Sequence, residues 1–128
     1  MREILFRGKG THGHKTGKWV YGNYAKDFWG INHKGYGILP IESGYNEVDP
    51  ETVGQYTGLT DKNGTKIFEG DIVQSIELEL KGIIVFDEHC RFMIKDLTTG
   101  STYLLSYNND EIQVIGNIHD NPELLGGE

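Results

Sequence analysis

Cysteine is nearly absent from this 128-residue chain: Cys90 stands alone. A single thiol excludes an intramolecular disulfide framework and fits a reducing compartment. No run approaches the roughly 18 apolar residues of a membrane span. The opening residues, Met1 to Phe6, lack the long apolar stretch of a secretory signal. A soluble protein of the cytoplasm is therefore expected, with no membrane partner. There is no Walker loop, dinucleotide fingerprint or nucleophile elbow. Proline is scarce, at Pro40, Pro50 and Pro122, and no segment has the periodicity of a long helix.

Glycine, in contrast, is plentiful: 18 residues scattered between short apolar runs. That pattern predicts many tight turns between strands. Charge divides the chain. The net charge is −7, yet the seven basic residues of the first half all lie between Arg2 and Lys34, with only Glu3 and Asp27 opposing them there. From Gly58 onward, thirteen acidic residues face Lys62, Lys66, Lys81, Arg91 and Lys95. The expectation is a basic, aromatic, β-rich region over 1–56 and an acidic β-domain over 57–128.

The strand signals follow a period of two. Asn63-Gly64 predicts a type I′ hairpin turn, because both residues tolerate positive φ. Glu69-Gly70-Asp71 makes a second turn before Ile72-Val73. Ile72, Ile76, Leu78 and Leu80 share one parity, which predicts one half-buried strand running through them. Further strands are expected at Ile83–Phe86, Arg91–Lys95, Thr102–Tyr107 and Ile112–Ile118. Asp49-Pro50-Glu51-Thr52 offers a turn or one helical turn, and Asn121-Pro122-Glu123 a terminal one. Closely spaced short strands favour a small antiparallel barrel.

The residues also match a known pattern. The chain resembles the YopX family of phage and prophage proteins through Gly54-Gln55-Tyr56-Thr57-Gly58-Leu59, Asp61-Lys62-Asn63-Gly64 and Ile67-Phe68-Glu69-Gly70-Asp71-Ile72-Val73. Gly82-Ile83-Ile84-Val85-Phe86 and the ending from Val114 to Leu125 fit as well, as do Ile4–Lys9 and Lys18–Gly22 near the start. The resemblance implies a β-rich N-terminal part, a C-terminal barrel of SH3-like type and a bacterial host cell. It implies no catalytic residues.

Each candidate chemistry has a simpler structural explanation. His12 and His14 stand close in a glycine-rich loop, and His33, His89 or His119 could join them around a metal. A structural zinc site, however, needs four ordered ligands and usually cysteines. Cys90 beside His89 lacks the surroundings of a catalytic cysteine. The pairs Glu69/Asp71, Glu77/Glu79 and Asp87/Glu88 suit turns and a solvated strand face. Neither catalytic residues, a metal nor a cofactor is therefore expected.

The remaining candidate is the aromatic and basic region, with Lys18, Trp19, Tyr21, Tyr24, Lys26, Phe28 and Trp29 as an interaction surface. Two readings follow. In the first, these aromatics dock on the protein itself or on a second copy, giving a non-enzymatic module that self-associates or meets a phage or host protein. In the second, they stack on single-stranded nucleic acid as an accessory or regulatory factor. The net negative charge favours the first.

Overall fold

The computed structural model describes residues 4–11, 13, 16–26, 36–39 and 46–125. It is a mainly β structure of two units, Met1–Tyr56 and Thr57–Glu128.

In the first unit, strands β1 (Phe6–Lys9), β2 (Trp19–Lys26), β3 (Tyr36–Leu39) and β4 (Asn46–Val48) pair antiparallel in sequence order. The start of β5 (Gly54–Thr60) closes on the other side of β1, with Phe6 opposite Gln55 and Arg7 opposite Gly54. The core here is small: Val20 and Val48, with Phe6 and Val53 packed on them. Gly8 lies opposite Val20, and a Cβ there would stand 3.0 Å from a methyl of Val48, so the missing side chain makes room for the valine. Polar ties supply the rest. Thr52 accepts from the Lys9 N–H at 2.9 Å and donates to the Asp49 carbonyl at 2.6 Å. Asp49 caps the short 3-10 turn Pro50–Thr52 by accepting from the Glu51 N–H, as the proline at its first position foretold.

The second unit takes the rest of β5 with β6 (Lys66–Phe68), and then a meander: β7 (Asp71–Ser75), β8 (Leu80–Phe86), β9 (Phe92–Asp96) and β10 (Thr102–Leu104). A helical turn, α1 (Leu105–Asn108), and a 3-10 turn at Asn109–Glu111 lead into β11 (Gln113–Asn117). This last strand returns to pair with β7, so the sheet order is β10-β9-β8-β7-β11, all antiparallel. Ile67, Val73, Leu80, Ile84, Ile94, Leu105 and Ile112 form one buried aliphatic cluster, with Leu59, Phe92 and Val114 against it. Gly82 is required where β8 crosses β9: a Cβ would sit 2.6 Å from the Lys95 carbonyl oxygen.

Four expectations change. The Asn63-Gly64 turn is not type I′, because only Gly64 has a positive φ (84°). The Gly64 N–H donates to the Asp61 carbonyl and the Asp61 N–H to that of Thr65, which is a type I turn closed by a glycine bulge. The strand expected through Ile72 to Leu80 breaks at Ser75. Ile76 to Glu79 is a hairpin loop, with Ser75 opposite Leu80 and Glu79 at φ 53°, so Ile76 and Leu78 point away from the core. The strand expected over Thr102–Tyr107 ends at Leu104 in the helical turn. Neither antiparallel sheet closes into a barrel among the described residues; β10 and β11 are the two ends of theirs. The apolar run Phe28–Ile31 and the turn-like Asn32–Gly35 lie outside the described residues.

Candidate interaction cleft

Buried carboxylates are where chemistry would be sought first, and here they hold backbone. Asp61 accepts three N–H groups, from Asn63 and Thr65 at 2.9 Å and from Val114 at 2.8 Å, so one side chain ties the hairpin to β11. Asp71 accepts from the Phe68 N–H at 2.8 Å, closing the Glu69-Gly70 turn whose glycine sits at φ 93°. Carboxylates satisfied this way lock loops and are poorly placed to move protons. Asn117 does the same work at the other end of the unit, accepting from His119 and Asp120.

The loop after β8 follows this pattern at the surface. Asp87 accepts from the N–H groups of His89 and Arg91 and from the Arg91 guanidinium, at 2.9 to 3.0 Å. Desolvation pushes its carboxyl up, but those hydrogen bonds and the guanidinium charge together outweigh it and hold the pKa below the ordinary 3.8. Cys90 is exposed at φ 63° in this loop, and His89 reaches only the Glu88 carboxylate, at 3.7 Å. Among the described residues no three histidine, cysteine or acidic side chains come together to hold a metal. His119 sits in the turn after β11, and His12, His14 and His33 lie outside the described residues. No helix among the described residues is long and apolar enough to cross a membrane.

The aromatic surface named from the sequence is only partly visible. Lys18 is exposed just before β2, and Trp19, Tyr21, Tyr24 and Lys26 lie on that strand. Phe28 and Trp29 fall outside the described residues. Trp19 is half-buried, with the Arg7 guanidinium 4.5 Å and the Lys9 ammonium 5.5 Å from its ring centroid. Both are within cation–π range, so the chain's own cations use this ring. Tyr21, opposite Arg7, is 46% exposed.

A cleft in the second unit was not singled out by the sequence. Leu78 from the β7–β8 loop, Leu80, Asp96 at the end of β9, Tyr103 on β10 and Asn108 in α1 enclose about 210 Å³. Of its lining residues, Leu78 is 46% and Tyr103 41% exposed. The alternation Ile72, Ile76, Leu78, Leu80 was the available signal, but it reads as a buried strand face unless the hairpin loop is recognised.

Comparison with known proteins agrees with the motifs. The model of the family described as "YopX protein" matches residues 12–126. The chain belongs to the YopX family. This YopX-family fold is also similar to the crystal structure of protein EF1440 from Enterococcus faecalis, at a TM-score of 0.56 and 26% identity, covering 98% of this chain and 99% of that one. None of the curated proteins matches it. In this YopX-family chain, Asp61 and Asp71 lock the turns in which Gly64 and Gly70 take positive φ.

Proposed function

We propose that this YopX-family protein is a non-enzymatic interaction module of phage or prophage origin that works in the cytoplasm of a bacterial host. The observation that carries the reading is the apolar cleft. Leu78 and Tyr103, which line it, are left open to solvent on a unit that has a buried aliphatic core. Such patches mark binding surfaces. The locked carboxylates support the absence of acid–base catalysis.

The second unit is taken as an SH3-like barrel left open between its end strands. Its support is the strand order, in which the last strand returns beside the first after a 3-10 turn. Self-association belongs to the same reading, supported by exposed Ile4 and Tyr21 in the first unit.

A photoreactive phenylalanine analogue at position 78, introduced in the host cell, tests the module. Protein adducts are expected from position 78 and not from position 62, on the polar hairpin turn. Identical yields at both positions sink the reading. An electrophoretic shift at low salt, lost on replacing Lys18 and Lys26, would instead favour the nucleic-acid reading.

A further inference from the structure

Resting on the module reading, we propose that the cleft is a socket for a basic side chain, arginine or lysine, presented by a partner protein. The decisive residue is Asp96. It is 8% exposed and lines the cleft. Its Oδ1 accepts the N–H groups of Thr98 at 2.7 Å and Thr99 at 3.4 Å. Among the described residues no donor reaches Oδ2, and that oxygen is not sealed from solvent. An open carboxylate oxygen on a largely buried residue gains a charge-assisted hydrogen bond when a cation meets it.

The second polar group of the lining agrees. Asn108 donates one N–H of its Nδ2 to the Leu104 carbonyl at 2.8 Å, and its Oδ1 remains as an acceptor. Two open acceptors, one of them charged, favour a donor-rich cation, and ammonium and guanidinium are the side chains of that kind. Leu78, Leu80 and the Tyr103 ring form walls for a methylene stem, and the ring can also face the charge. The volume of about 210 Å³ is below the roughly 300–1,000 Å³ of small-molecule sites and suits one side chain. Glu77 and Glu79 flank Leu78 in the same exposed loop, and the thirteen acidic residues from Gly58 onward steer cations toward this unit.

The test is a titration of the full chain with blocked Leu-Arg-Leu, followed by backbone amide shifts. Saturable shifts at Leu78, Asp96 and Tyr103 in the millimolar range are expected. The peptide with neutral citrulline in place of arginine should give none. Asp96→Asn keeps an oxygen for Thr98 and Thr99 but removes the charge, and should weaken binding about tenfold or more, as for a lost charge-assisted hydrogen bond. Asp87→Asn, away from the lining, should leave binding unchanged. Should Asp96→Asn fail to fold, exposed Leu78→Ser must give the loss instead. No saturable shift, an equal response to the citrulline peptide, or insensitivity to Asp96→Asn overturns the socket. Free agmatine binding as tightly as the peptide overturns the protein segment as its source. Protein adducts at position 78 without arginine binding would sink the socket alone; the loss of both sinks the module as well.

Discussion

The two units are held together by different means. Thr57–Glu128 buries seven aliphatic residues in one cluster, whereas the cluster among the described residues of Met1–Tyr56 buries two valines, beside a close glycine contact and hydroxyl ties. Of the first unit's aromatics, Phe6 packs on those valines. Trp19 shows how the first unit uses such a residue: as a platform for Arg7 and Lys9 at the edge of a sheet. What fills a core is side chains of matched shape from facing strands, and the second unit has them.

Substitutions can break or sharpen this contrast. The largest effect is expected in the aliphatic cluster. Ile94→Ala, at a fully buried position, should cost about 2–5 kcal/mol. Val20→Ala should cost only about 1.5 kcal/mol, at some 0.8 per methylene. Denaturant midpoints compare them, and equal losses would erase the distinction.

Next comes Asp61→Ala, which strands three backbone donors and should cost about 3 kcal/mol. Thr52→Val, which removes the acceptor for the Lys9 N–H while the Asp49 carbonyl keeps the Thr52 N–H, should cost about 1 kcal/mol by the same measure. A Thr52 effect as large as that of Asp61 would mean the first unit depends on its hydroxyl tie more than the geometry implies.

Glycine contacts give a third pair. Gly82→Ala drives a methyl into the backbone of β9 and should cost about 2–3 kcal/mol. Gly8→Ala meets only the Val48 side chain, at 3.0 to 3.3 Å, and should cost about 1 kcal/mol.

The smallest effect is that of Asp87. Its folded pKa lies below the unfolded value, so its contribution to stability is present above pH 3.8 and fades as pH falls through the lower folded value. Asp87→Asn should remove that part of the acid limb, which acid titration of unfolding would record.

Much of the β architecture was legible because strand alternation and turn residues are local signals. The strands at Ile83–Phe86 and Arg91–Lys95 and the turns at Pro50 and Pro122 appear close to where the pattern put them. The errors share a cause. Ile76 and Leu78 keep the parity of Ile72 across a hairpin loop, and a parity count cannot see that Ser75 already pairs with Leu80. The cleft was illegible for a related reason. Leu78, Asp96, Tyr103 and Asn108 come from separate segments, and each taken alone reads as an ordinary loop or strand residue. The turn acids were read by their chemistry, since a carboxylate beside glycine caps N–H groups whatever the sheet does later.

The exposed thiol of Cys90 has a practical bearing on all of this. In air, two chains can be joined through it, and the covalent pair would counterfeit a dimer in sedimentation. Kept reduced, the same atom is a unique attachment point. A dye or a chip tethered there labels every molecule at one address, on the loop between β8 and β9.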